Sequence, residues 1–264
     1  MRGIANRNEE FNLFERMLRG KTSHRVLLLE GPSERGKTTL LTEFAILAEE
    51  IHGSGCCARI DLKGVSLLGD LHSRLFAELG KGVFTNYAAL QGGHPINLKV
   101  DLSDARMRDD NDLSVQTAFH MAGGGPKNCH SEAVLQDLCA YAKPIVLIID
   151  TFESATDDTS RWITHQLLPA VRKNKQLCIV LGGKKVPDYK MFQLTLGKLV
   201  QYHLLDTINS VEDWHEFAKT FHPAFPREQI KMLCEGGLTE RPSAINSFIE
   251  TIAQKLPPHN SPGT

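Results

Sequence analysis

The stretch that most constrains this chain is Val26-Leu27-Leu28-Leu29-Glu30-Gly31-Pro32-Ser33-Glu34-Arg35-Gly36-Lys37-Thr38-Thr39-Leu40-Leu41. An apolar run of strand length enters a loop with glycine at each end. Lys-Thr follows at the start of a helix-like run, which is the Walker A pattern in its structural context. Gly31 and Gly36 permit backbone angles that a side chain forbids. The loop through Pro32, Ser33, Glu34 and Arg35 to Lys37, Thr38 and Thr39 can therefore turn its N–H groups inward as an anion-binding nest. The helix beginning near Lys37 adds the positive end of its dipole. In this pattern Lys37 reaches the β- and γ-phosphates, and the Thr38 hydroxyl is a ligand for Mg²⁺. Glu34 and Arg35 stand where small residues are common, so the loop carries either a local ion pair or an arginine facing the γ-phosphate.

A second pattern supplies carboxylates. Ile145-Val146-Leu147-Ile148-Ile149-Asp150 is an apolar strand ending in an acid, a Walker B pattern. On a strand neighbouring the loop, Asp150 lies near Mg²⁺ directly or through a water. Glu153 is then placed to orient or deprotonate an attacking water, with Asp157 and Asp158 as rival acids on a nearby loop. A further apolar run, Leu177 to Leu181, opens into Gly182-Gly183-Lys184-Lys185-Val186-Pro187, where Lys184 or Lys185 can sense the γ-phosphate or simply face solvent.

Around these motifs strands and helices alternate. Phe11, Phe14, Met17 and Leu18 share one face of an N-terminal helix with Asn8 as its cap, and the Walker helix runs from about Gly36 to Glu50. Cys56 to Leu62 reads as a strand, Ser66 to Leu79 as a helix with Leu67, Leu68 and Leu71 inward, and Leu199 to Leu205 as a closing strand. Helices also fall at Ser131 to Ala142 and Arg161 to Val171. This order predicts an α/β P-loop NTPase fold, a three-layer parallel sheet flanked by helices, over residues 1–205. A polar excursion over about 81–130 holds one strand candidate, Leu98 to Leu102. Ser210 caps the first helix of a small C-terminal helical subdomain, 206–256, followed by a disordered tail, 257–264.

Composition narrows the partners. A net charge of −1 over 264 residues gives no electrostatic reason to expect nucleic acid or an anionic membrane, so neither is indicated as a partner. No apolar run approaches the roughly twenty residues that span a bilayer, and the first residues lack a signal-peptide core, which predicts a cytoplasmic protein. The six cysteines include no CxxC pair and read as free thiols. Cys129-His130 lacks a second ligand pair and reads as an ordinary loop or surface position.

Five segments together resemble a family. They are Asn6-Arg7-Asn8-Glu9-Glu10-Phe11, the P-loop, Ile148-Ile149-Asp150-Thr151-Phe152-Glu153, Leu181-Gly182-Gly183-Lys184-Lys185-Val186-Pro187 and Gly237-Leu238-Thr239-Glu240-Arg241-Pro242. In that order, over about residues 4–250, they are similar to the nucleotide-binding core of STAND ATPases, AAA+-related signal-transduction ATPases that include the NACHT and apoptotic types. The resemblance implies ATP or ADP with Mg²⁺, and Arg7 near the adenine or the hinge between subdomains. It implies Asp150 and Glu153 as the Walker B acids and Lys184 in place of a sensor arginine. Pro242 corresponds to the Gly-x-Pro-like motif that touches the base, although that spacing is not reproduced here. Lysine lacks arginine's fork, so hydrolysis is expected to be slow.

The function implied is a nucleotide-dependent switch that gates self-association or a protein effector, in a piece of a longer protein or a minimal ATPase with separately encoded partners. A P-loop small-molecule kinase or transferase needs an arginine-rich lid, and no such cluster is visible. A scaffold that binds ATP without turnover is the third reading. No Asn-Lys-x-Asp guanine signature and no Leu-Ser-Gly-Gly-Gln transporter signature occur.

Overall fold

Two interleaved sets of apolar residues run along the interior strands, and each set faces a different layer of helices. Val26 and Leu28, Ile145, Leu147 and Ile149, and Ile179 and Leu181 belong to one buried cluster, whereas Leu27 and Leu29, Val146 and Ile148, and Cys178 and Val180 belong to another. Strand side chains alternate, and strands apolar on both faces must be covered on both. The structure, a computed structural model, describes residues 7–92, 126–208, 210–240 and 242–256. The strand expected at Leu98 to Leu102, Asn6 and Arg241 of the motif segments, and the tail from residue 257 lie outside them.

The strands are β1 (Val26–Glu30), β2 (Cys57–Asp61), β3 (Ile145–Asp150), β4 (Leu177–Gly183) and β5 (Val200–Leu204). They form one five-stranded sheet in the order β2-β3-β4-β1-β5, with every pair parallel. The three-layer expectation holds. One detail is corrected: β3 does not neighbour the P-loop strand. β4 lies between them, pairing Val26 with Ile179 on one side and Ile145 with Leu177 on the other.

On one face, α1 (Asn8–Leu18) and α2 (Lys37–His52) close the sheet. Phe14 stacks on Phe44 with ring centroids 4.2 Å apart, and Phe11 meets Phe44 edge-on at 5.3 Å. Arg7, rather than Asn8, takes the N-cap position of α1 and makes no side-chain cap. The other face carries α3 (Leu68–Leu79), α4 (Thr85–Gln91) and α5 (Pro126–Ala140). It also carries α6 (Asp157–Trp162), which continues through a π-helical turn, Ile163–Leu167, into α7 (Leu168–Ala170). Leu67, expected inward, precedes α3 and is 65% exposed. α4 falls inside the stretch read as a polar excursion, and its cap comes from α5. The Asp137 carboxylate accepts N–H bonds from Asn86 at 3.1 Å and Tyr87 at 3.0 Å, and the Asn86 amide at 2.8 Å.

After β4, α8 (Tyr189–Leu196) leads into β5. The C-terminal unit is α9 (Val211–Phe221), α10 (Arg227–Glu235) and α11 (Pro242–Ala253), around a separate cluster that includes Ile208, Trp214, Phe217, Ile230 and Ile249. The Ser210 hydroxyl caps α9 by accepting from Asp213 N–H at 3.1 Å.

Two stability predictions follow from this packing. Phe44 is fully buried between Phe11 and Phe14, so Phe44→Ala is expected to destabilise the chain by about 3–5 kcal/mol in urea unfolding. His72 on α3 is 1% exposed, and burial, with a smaller contribution from His130, lowers its pKa to about 4. Tyr87 and Trp162 face its ring, and Glu132, Asp158 and Arg161 line the same cavity. Below the unfolded value near 6.5 the unfolded chain takes up a proton that the folded chain refuses. Stability present above pH 6.5 is therefore lost as pH falls toward about 4, by up to about 1.4 kcal/mol per pH unit from this group. Urea midpoints across this range should show a shallower slope for His72→Phe.

Candidate functional site

The loop between β1 and α2 is set by two left-handed backbone positions and one close approach. Gly36, at the N-cap of α2, has φ 76°, and Glu34 has φ 66°, a left-handed angle that a non-glycine residue rarely adopts. Gly31 is not left-handed, contrary to expectation. It is needed because a Cβ there would sit 3.0 Å from the carbonyl oxygen of Leu205, which follows β5. The turn thus packs directly against the chain leaving the sheet.

Lys37 folds back over this loop. Its Nζ donates to the carbonyls of Gly31 and Pro32, both at 2.6 Å. Burial lowers the Lys37 pKa and the nearby Lys184 acts in the same direction, while Glu153 and Asp150 oppose them. These four charged groups therefore share one electrostatic neighbourhood.

The next residue makes the central contact. Thr38 Oγ1 donates to Asp150 Oδ2 at 2.8 Å, and the Thr151 N–H donates to Asp150 Oδ1 at 2.8 Å. Asp150 is 3% exposed, with both oxygens engaged. Thr151 holds φ 58°, and the chain turns there into a 3-10 turn, Phe152–Ser154. That turn carries Glu153 back toward β4, where its Oε2 accepts the Lys184 N–H at 2.8 Å.

This approach requires the glycine pair that ends β4. A Cβ on Gly183 would lie 2.6 Å from the Lys185 carbonyl oxygen and 2.8 Å from Glu153 Oε2; one on Gly182 would meet Leu41 Cδ1 at 2.9 Å. Neither glycine had been singled out as a site residue, although a Gly-Gly pair at a strand end is a readable sign of close backbone approach. The rival acids are elsewhere: Asp157 and Asp158 lie in the first turn of α6, capped by Thr156, rather than on a loop. Lys184 lines the cleft, whereas Lys185 does not.

The cleft has a volume of about 710 Å³. One wall is the loop from Ser33 to Thr39 with Asp150, Glu153 and Lys184, and the opposite wall is Ile208, Trp214, Phe217 and Pro242 of the helical unit. Asp61 and Lys63, at the end of β2, also line it and carried no sequence motif. Arg7 lies where the two walls join, 7% exposed. Its Nη2 donates to the Asp206 carbonyl at 2.8 Å and the Arg35 carbonyl at 3.2 Å, and its Nη1 is 3.8 Å from Glu10. Burial lowers the Arg7 pKa, Glu10 and Asp206 act against it, and Arg35 adds to it. Among the described residues, Arg35 Nη1 is buried without a hydrogen-bond partner.

A hydroxyl and a carboxylate 2.8 Å apart form a hard-oxygen pair suited to Mg²⁺, which binds through one or two protein ligands plus phosphate oxygens and waters. Among the described residues no group of three or more His, Cys, Asp or Glu side chains is placed to hold a metal. All six cysteines are free thiols, and burial raises Cys178 to about 12.

No protein-family model and no curated protein matches this chain. Solved structures do. The chain is similar to a replication initiator, DnaA, bound to AMPPCP and single-stranded DNA, at 14% identity and a TM-score of 0.50 over 96% of this chain and 62% of that one. It is similar to Cdc6p from Pyrobaculum aerophilum at 13% identity and a TM-score of 0.51, over 96% of this chain and 63% of that one. At this identity the likeness shows the fold alone, a parallel α/β sheet flanked by helices. The chain spans less than two thirds of the length of either structure. One expectation is overturned: near-neutral charge had set nucleic acid aside, yet a neighbour of this fold was solved with single-stranded DNA. Net charge averages over a surface and does not report a local contact face. Among the described residues, no helix is long and apolar enough to cross a membrane.

The geometry ranks the two glycines. Gly183→Ala must displace backbone or the Glu153 carboxylate and should cost about 1–3 kcal/mol, while Gly182→Ala meets only the end of the Leu41 side chain and should cost less. Urea denaturation of the two variants checks the order.

Proposed function

We propose that the chain is an ATP-binding switch of the STAND type that hydrolyses Mg-ATP slowly and couples nucleotide state to the arrangement of its helical unit. The observation that carries this reading is the Thr38–Asp150 contact beside Lys37 and Glu153, facing a wall supplied by the helical unit. Lys37 supplies the ammonium for the β- and γ-phosphates, and the N–H groups of the loop and the first turn of α2 cradle them. Thr38 and Asp150 would hold Mg²⁺, which when bound offsets phosphate charge. Glu153, steadied by the Lys184 N–H, orients the attacking water and accepts its proton. The Lys184 ammonium balances charge on the γ-phosphate as a point charge rather than a fork, consistent with slow turnover. Trp214, Phe217 and Pro242 offer an apolar surface for the base, and Arg7 ties the loop to the segment entering the helical unit.

Nucleotide can drive such a switch only by binding one arrangement of the two walls better than the other. In this reading the switch gates self-association or a protein effector. A second reading, in which nucleotide state gates binding to DNA, is supported by the single-stranded DNA in the initiator of similar fold. Fluorescence anisotropy with single- and double-stranded oligonucleotides, with and without Mg-ATP, separates the two.

Mass spectrometry of the denatured, purified protein is expected to recover ATP or ADP. Lys37→Ala should lose nucleotide binding, whereas Glu153→Gln should retain it and lower turnover by about 10²–10⁴-fold. Nucleotide-free protein with no thermal shift on adding Mg-ATP counts against the reading, as does loss of binding in Glu153→Gln.

A further inference from the structure

Because the strands are parallel, their starts share one edge of the sheet, opposite the edge that carries the P-loop and the acids. Residues 20–25 lead into β1 at that edge, 141–144 into β3, 172–176 into β4 and 197–199 into β5. These four segments hold seven Lys and Arg and no Asp or Glu, in a chain whose net charge is −1. They are tied to one another. Ser23 Oγ donates to the Lys198 carbonyl at 3.1 Å, Arg25 Nε to the Lys175 carbonyl at 3.0 Å, and Asn174 Nδ2 to the Tyr141 carbonyl at 2.9 Å. Arg25 is thus occupied with backbone. Lys21, Lys143, Arg172, Lys173, Lys175 and Lys198 are exposed, and among the described residues none of them makes an ion pair. The same field acts on His24, whose pKa is lowered by burial, with Arg16, Arg25 and His203 acting in the same direction. The sign changes toward β2, where Glu49 and Glu78 stand near Cys57.

We propose that this edge binds the phosphate backbone of double-helical nucleic acid. Exposed cations with no carboxylate between them repel one another, and a polyanion relieves that repulsion. Helix C-termini at this edge favour a nearby cation through their dipoles. Arg172, Lys173 and Lys175, three within one segment, exceed what a single helix end calls for. Other anionic surfaces fit less well. No large exposed apolar side chain lies in the four segments, so nothing is placed to enter a bilayer. Single strands are held by stacking on aromatic faces, and the one Phe, Tyr or Trp of these segments, Tyr141, packs against the core. Four neighbouring strand starts span roughly 14 Å at about 4.8 Å per step, enough to meet phosphates on both sides of a major groove about 12 Å wide. Cations that meet only phosphates read no base edges, so the binding is independent of sequence. The face shares no residue with the nucleotide cleft, and the inference does not rest on the switch reading.

Fluorescence anisotropy with a labelled duplex of about 20 base pairs, as DNA and as RNA, tests this without nucleotide between about 50 and 200 mM NaCl. Saturable binding to a duplex is expected, with log affinity falling against log salt at a slope of about −3 to −5. The triple variant Lys173→Gln, Lys175→Gln, Lys198→Gln should bind about tenfold or more weakly and flatten the slope by about 2–3. The triple variant Lys190→Gln, Lys219→Gln, Lys231→Gln makes the same change of net charge away from this edge and should bind as the parent does. The three edge lysines are exposed, so the first variant should keep the parent's thermal midpoint. If it does not fold, Lys143→Gln with Arg172→Gln takes its place, with a slope change of about 2. No saturable binding to either duplex overturns the proposal, and so does an equal loss in both triple variants. Undiminished affinity in the edge variant overturns it too, while leaving nucleotide-gated DNA binding at another face standing. Tighter binding to single strands than to either duplex, or displacement of the duplex by phosphatidylserine vesicles or polyglutamate at equal charge, also overturns it.

Discussion

The Thr38 hydroxyl meets the Asp150 carboxylate across an intervening strand, and the candidate site depends on that meeting. The two residues belong to α2 and β3, which share no sequence neighbourhood, and β4 separates β3 from the P-loop strand. A 2.8 Å bond can span this gap only because all three strands are parallel and end at the same edge. Parallel pairing brings the loop, the acid and the lysine turn out on one side, where crevices of open α/β sheets collect ligands.

Given that edge, the inserted strand becomes part of the site. β4 ends in two glycines, and the space left by the missing side chains is taken by Leu41, the Asp150 carboxylate and the turn that carries Glu153. The loop and the acids are therefore in register through β4, and the Glu153 carboxylate is oriented by a backbone N–H rather than by another side chain. Geometry set by a backbone group is insensitive to which side chain stands at residue 184.

The local parts of this arrangement were legible in the sequence because local chemistry writes them. The P-loop, the apolar strand ending in Asp150 and the alternation of helix and strand each follow from spacing within a few residues. What escaped depends on contacts between distant segments. The order of strands is not encoded in any one strand's periodicity, so β4's place was not seen. α4 went unread because its cap, Asp137, lies about fifty residues away. Gly31 looked like a conformational requirement and is a steric one, visible only once Leu205 is known to lie against it. His72 resembled any polar residue of an amphipathic helix, and only the packing shows that its nitrogens are buried without partners among the described residues. The setting aside of nucleic acid failed for a different reason, since it drew on net charge, which contains no positional information.

The division of the interior into three clusters has a dynamic consequence. The helical unit packs about its own core of Ile208, Trp214, Phe217, Ile230 and Ile249, distinct from the two that sandwich the sheet. Local opening follows shared packing, so a unit with its own core can open while the sheet stays closed. Amide exchange in α9 to α11 can then proceed by excursions that leave β1, β3 and β4 paired. One wall of the cleft can thereby loosen and re-form while the wall that carries Thr38, Asp150 and Glu153 keeps its strand pairing.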